Sequence, residues 1–209
     1  MKKLLLVSIL LFTSPLFASM TCYLTTGTSG AHQSPYTVHI AADLTEWAAY
    51  GVTSNFDTFC VEGPVLPQVR YFNPSNPSQN KYYYYTATVD DVVKYGGSQS
   101  TLDEMTKKIY SSFLNGTLAL SAGKIQNAIW HAEGTANYQS DYNDVIAAMG
   151  DTAGYENVMV LNLWHGDAYT GGDKQSQLVR IVPVPAPGAV LLGGFGMTFI
   201  GWLKKRKSL

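Results

Sequence analysis

The chain has 209 residues, 46% of them hydrophobic and 14% charged, with 14 Lys+Arg against 15 Asp+Glu for a net charge of −1. That length is enough for one domain with a real core, and no basic stripe runs through the body, which argues against a nucleic-acid partner. Six of the positive charges lie at the two ends (Lys2, Lys3, Lys204, Lys205, Arg206 and Lys207), so the part between them is distinctly acidic.

The amino end starts with a basic Met1-Lys2-Lys3, continues with an apolar stretch over residues 4–12 that is too short to span a bilayer, and reaches a cleavage zone ending at Ala18. This is the pattern of a secretory signal peptide over residues 1–18. Such a signal delivers the chain to an oxidising compartment, where a disulfide between the two cysteines, Cys22 and Cys60, is allowed. Residues 36–40 alternate and read as a strand, and residues 55–62 read as another. Residues 68–72 and 81–89 are aromatic and β-branched, and the Asn/Pro/Ser loop over 73–80 predicts a hairpin between them. Tyr82 to Tyr85 should alternate between the two faces of a strand.

The period then changes. Ser100 or Thr101 caps a predicted helix with Asp103 and Glu104 in its first turn, Leu102, Met105, Ile109 and Phe113 on one face, and Asn115-Gly116 as its stop. Ser121 starts a second helix with Ile125, Ala128, Ile129 and Ala132 as the buried stripe, ended by Gly134. Ser140 caps a third that runs to Met149. Strands return at 157–163 and 175–182. Strands, a helical insert, then strands predict an α+β fold: a β-sandwich or barrel with two or three inserted helices, spanning residues 19–182.

From Val182 the composition breaks. A proline-rich hinge leads into an uncharged apolar run over residues 188–203, followed by the basic stop Lys204, Lys205, Arg206 and Lys207. That order predicts a membrane helix with its basic end held in the cytoplasm. At about 1.5 Å per residue the run covers roughly 24 Å, short of a roughly 30 Å hydrocarbon core; snorkelling lysines make up the difference. Pro185, Ala186, Pro187 and Gly188 with this helix and basic tail resemble the C-terminal sorting signal of PEP-CTERM proteins, in a Pro-Ala-Pro-Gly-Ala variant over residues 183–209. The resemblance implies export, anchoring in the inner membrane at least for a time, and processing by signal peptidase and an exosortase on the way to the cell surface or the extracellular space.

Two segments carry the candidate chemistry: Thr58-Phe59-Cys60-Val61-Glu62, and Lys124 to Trp130, in which Gln126 and Trp130 share one helix face. Together they resemble the thioester domains of bacterial surface adhesins, where a cysteine on an aromatic-Cys-aliphatic strand joins a glutamine. The resemblance implies a Cys60–Gln126 thioester walled by Phe59 and Trp130, open to attack by an amine on a surface or polysaccharide-matrix ligand. The Phe-Cys-Val-acid strand, the Gln-x-Ala-Ile-Trp helix and the closing Val160-Leu161-Asn162-Leu163-Trp164 strand also resemble PEP-CTERM proteins of unassigned activity. Three states of Cys60 stay open on the sequence: thioester, disulfide with Cys22, or an ordinary buried thiol with Gln126 serving backbone groups. The competing function classes are a non-covalent structural or biofilm-matrix protein and a hydrolase or transglutaminase-like enzyme built on Cys60 and His131, with Glu133 or Asp57. The favoured reading is a non-enzymatic adhesive module. His32, His39, His131 and His165 show no metal-ligand spacing, and Asp141 to Asp144 lacks the glycine and distal glutamate of a calcium loop, so no metal and no cofactor are expected.

Overall fold

Strand β7 (Val158–His165) shows how the architecture arises, because its side chains alternate between two cores. Leu161 and Leu163 join a cluster with Met20, Cys22, Val38, Tyr85 and Val179. Val158 and Val160 face the other way, into a cluster with Ile109, Ile125, Ile129 and Val145. A period-2 strand that is apolar on both faces has to be covered on both, here by the rest of the sheet on one side and by helices on the other.

The computed structural model describes residues 20–26, 35–63, 84–95, 98–165 and 172–182. The elements are β1 (Met20–Thr26), β2 (Tyr36–Ala42), α1 (Leu44–Ala49), β3 (Phe56–Thr58), β4 (Tyr84–Asp90), β5 (Val92–Tyr95), β6 (Ser98–Thr101), α2 (Glu104–Leu114), α3 (Ala122–Ala132), α4 (Gln139–Ala148), a short 3-10 turn (Tyr155–Asn157), β7, and β8 (Gly172–Arg180). The six-stranded sheet runs β3-β2-β1-β4-β7-β8 with antiparallel neighbours, and β5 and β6 form a separate hairpin.

The sheet nearly closes on itself. After β3 the chain leaves β2, and Phe59–Cys60–Val61 crosses to the other end of the sheet. There Leu178 N–H donates to Phe59 O at 3.1 Å and Val61 N–H donates to Ser176 O at 2.9 Å. The Thr58 hydroxyl donates to Leu178 O at 2.6 Å, fixing the crossing. The predicted strand over 55–62 is thus two pieces that serve opposite edges of one barrel-like sheet. The fold is mixed helix and strand, as expected, with four α-helices among the described residues; α2, α3 and α4 form the insert between β6 and β7.

Several sequence expectations shift. The α2 N-cap is Asp103, whose carboxylate accepts from Met105 N–H at 2.7 Å, rather than Ser100 or Thr101, which belong to β6. Helix α3 starts at Ser121 as read, while α4 is capped at Tyr138, ahead of the predicted Ser140. Strand β4 pairs with β1 and β7; its expected hairpin partner at 68–72 and the loop at 73–80 lie outside the described residues. Tyr84 is exposed and Tyr85 buried, the predicted alternation. The signal peptide, the sorting motif Pro185, Ala186, Pro187 and Gly188, the membrane helix 188–203 and the basic stop at 204–207 also lie outside the described residues. Among the described residues no helix is long and apolar enough to cross a membrane.

Candidate functional site

Cys60 sits at the seam of the barrel, and the geometry of the seam decides what surrounds it. Cys60 pairs with Gln177 in an antiparallel bridge, and the hydrogen bonds run on either side of that pair, through Phe59 and Val61. In such a non-hydrogen-bonded pair the two side chains stand close together on the same face. Cys60 Sγ accordingly lies 3.3 Å from Gln177 Nε2 and 3.7 Å from Gln177 Oε1. Gln177 Nε2 also donates to Gln175 O at 3.0 Å, which holds the carboxamide in place.

The backbone of Cys60 points the other way, toward α3, where among the described residues no further strand pairs with it. Gln126 takes the place of that strand. Cys60 N–H donates to Gln126 Oε1 at 2.9 Å, and Gln126 Nε2 donates to Cys60 O at 2.7 Å. One side-chain amide mimics one peptide unit, so neither backbone group of this buried residue is orphaned. Gln126 reaches the seam because Ile125, Ala128 and Ile129 bury the same side of α3 against the helical core.

The sequence therefore brought Cys60 and Gln126 into one neighbourhood, and the structure adds a second glutamine, Gln177, to it. Gln126 meets the backbone of Cys60, and Gln177 places its amide against the sulfur. The proposed wall also divides. Phe59 turns into the helical core, edge-on to Phe113 at 5.0 Å. Trp130 packs against the cluster that holds Cys60, with its ring 6.2 Å from Tyr138.

Both cysteines are free, buried thiols; the Cys22–Cys60 disulfide weighed on the sequence is not formed. Burial pushes each thiol up to about 12. For Cys60 the nearby Glu62 charge adds to the rise, while hydrogen bonds from Gln177 and Tyr36 act against it. His131 Nδ1 accepts from Tyr138 N–H at 3.3 Å and its ring lies 4.8 Å from Tyr142, so it is held against α4. Of its expected acidic partners, Glu133 accepts from Asp103 N–H and Asp57 accepts from the Thr37 hydroxyl. Among the described residues no contact joins this group to Cys60, and no His/Cys/Asp/Glu group could hold a metal ion.

A polar chain runs on the opposite face of the seam. Glu62 Oε2 accepts from Ser176 N–H at 2.6 Å. Ser176 Oγ lies 2.8 Å from Glu62 Oε1 and 2.9 Å from Asn162 Oδ1. Asn162 Nδ2 donates to Asp90 Oδ2 and to Val92 O, so its oxygen faces Lys94 N–H and Ser176. The Ser176 hydroxyl has both Glu62 Oε1 and Asn162 Oδ1 as acceptors, and its one hydrogen is shared between them. Burial raises the Glu62 carboxyl to about 7, against the pull of the hydrogen bonds it accepts from Ser176. The chain matches no family model, no curated protein and no solved structure in the comparisons made.

Proposed function

We propose that this chain is an exported cell-surface or matrix protein whose domain over residues 19–182 binds its target through a latent internal thioester between Cys60 and Gln177. The observation that carries the reading is the contact of the Cys60 sulfur with the Gln177 carboxamide, inside a seam where both residues are buried. Gln126 serves this reading as the clamp that fixes the Cys60 backbone. Export rests on the two chain ends: a signal peptide, then a proline hinge, apolar run and basic stop of the kind an exosortase processes at the inner membrane.

The step balances without a cofactor. The Cys60 sulfur adds to the Gln177 carbonyl carbon, the carbon–nitrogen bond breaks, and the thiol proton leaves with the nitrogen as ammonia. A thiol held near pKa 12 is protonated at neutral pH, so its proton has to transfer as the carbon–sulfur bond forms. An amine on the target surface or matrix then attacks the thioester carbonyl. The carbon–nitrogen bond forms, the carbon–sulfur bond breaks, the proton returns to sulfur, and the target is left joined to Gln177 by an amide. Enclosure of the pair keeps water from the electrophile.

Mass spectrometry on the full-length protein in detergent micelles tests this. The wild type should be one ammonia lighter than its sequence; methylamine should restore mass and release one thiol. The loss should vanish in Cys60→Ala and in Gln177→Ala. A wild-type mass equal to that of the plain sequence would sink the bond and leave a non-covalent structural module.

A further inference from the structure

We infer that the domain carries a second, non-covalent site, a pocket at the far end of β3 that takes a carboxylate-bearing sugar through Arg180. The pocket has a volume of about 240 Å³ and is lined among others by Val52, Thr53, Ser54, Phe56, Leu114 and Arg180. Clefts for drug-sized ligands run to about 300–1,000 Å³, so this one has room for a single small ring.

Arg180 sets the charge preference. Its Nη1 donates to Asn115 Oδ1 at 2.7 Å and to Ser111 Oγ at 3.3 Å. Both acceptors are themselves fixed: Ser111 Oγ donates to Ala153 O, and Asn115 Nδ2 donates to Ala153 O and Asp151 O. The guanidinium is thus held rigid by neutral groups, and among the described residues it forms no salt bridge. Its Nη2 and Nε hydrogens have no acceptor among the described residues. A half-buried cation with a free donor edge fits a carboxylate, and the fork geometry prefers a planar, two-oxygen partner.

The rest of the lining sets the sugar preference. Thr53 and Ser54 are exposed lining residues that carry hydroxyls, and Phe56 is a half-buried lining aromatic whose ring centroid lies 6.3 Å from that of Trp47. A pyranose ring has one face to lay on an aromatic ring and hydroxyls for such a lining. A ring that also bears a carboxylate satisfies all three features, which names an acidic sugar of the uronate type. The pocket uses none of Cys60, Gln126 or Gln177, so it stands or falls apart from the thioester.

Saturation-transfer NMR on the full-length chain in micelles tests it, with glucuronate and galacturonate as probes, glucose as the neutral sugar and benzoate as the non-sugar carboxylate. A uronate should bind, with glucose and benzoate weaker by about tenfold or more, the value of one charge-assisted hydrogen bond or of the hydroxyl contacts. High salt should weaken the uronate signal, and Arg180→Gln should remove it. Because Arg180 also braces α2, Ser54→Trp provides a second variant: it fills the rim from an exposed position and should abolish binding with unfolding unchanged. Equal binding of glucose, equal binding of benzoate, uronate binding that survives Arg180→Gln or Ser54→Trp, or no uronate signal up to on the order of 10 mM would each overturn the assignment.

Discussion

Replacing Gln126 by alanine separates the two roles a glutamine can play at this seam. The variant removes one acceptor and one donor and leaves Cys60 N–H and C=O buried without partners, since Cys60 is 1% exposed. Each orphaned buried group costs about 1–3 kcal/mol, so the pair costs about 2–6 kcal/mol, a large fraction of a typical domain's total stability. For a domain of this size each 1 kcal/mol moves the melting point by about 2–4 °C, giving a fall of roughly 4–24 °C. Thermal unfolding followed by circular dichroism measures it. The chemistry should not follow the stability: Gln126→Ala, kept below its lowered melting point, should still lose ammonia if the wild type does, whereas Gln177→Ala should not. A Gln126→Ala protein that melts like wild type would refute the clamp. One that loses the thioester while Gln177→Ala retains it would return the acceptor role to Gln126.

The Glu62 carboxyl, raised by burial to about 7 from its ordinary 4.5, predicts a pH dependence of definite sign. A folded pKa above the unfolded one means that the native state binds more protons between the two values, so stability is fully present below about pH 4.5 and is lost as pH rises through 7. At 1.36 kcal/mol per unit the contribution is about 3 kcal/mol, and urea titrations across that range should show it in the wild type and a flatter profile in Glu62→Gln. Buried thiols pushed up to about 12 should resist iodoacetamide in the native state; after denaturation both Cys22 and Cys60 should label where no thioester has formed, and Cys22 alone where it has. Gly51 has φ +71°, and a Cβ there would lie 2.5 Å from Val182 O, so Gly51→Ala should destabilise by about 1–3 kcal/mol and loosen the chain's exit beside the Arg180 pocket, visible as a lower melting point.

What the sequence revealed and what it hid follow one physical line. Amphipathic helices announce themselves, and α2 and α3 lie close to where their stripes and stops put them. Strand β1 alternates cleanly, with Met20, Cys22 and Leu24 buried, but it begins two residues beyond the expected cleavage site and was not read as a strand. Helix α1 is six residues long, too short to show a period, and β6 has no apolar residue to show one. Gln177 was hidden for a related reason. Gln175-Ser176-Gln177 opens the predicted strand 175–182 with three polar residues, yet all three are buried, with the crossing segment 59–61 paired against them. The usable signal was three polar residues interrupting a strand that resumes at once with Leu178-Val179: a polar run inside a core strand needs buried partners. Which partners they are depends on a contact between residues more than a hundred positions apart, which no local pattern encodes.

The placement of the cysteine also bears on how a shielded electrophile could ever meet its target. A thioester in the seam would be silent while the barrel is closed, because neither Cys60 nor Gln177 is accessible. The seam is also a shorter joint than the one between β7 and β8. The pair β7 and β8 share a register of seven matched positions, whereas segment 58–62 meets β8 through one bridge with two backbone hydrogen bonds, the Thr58 hydroxyl and the bonds of Glu62 to Ser176 and Gln175, and meets the helices through the Gln126 amide and the packing of Phe59. Local opening free energies scale with what must be broken, so parting the seam, which breaks these contacts alone, costs less than unfolding the whole domain. Opening there exposes the sulfur and the Gln177 carbonyl together and leaves β1, β2, β4 and β7 intact. The joint that closes the barrel is thus the one whose opening would arm the site, and Gln126 on the helix side and Glu62 on the strand side set how often that happens.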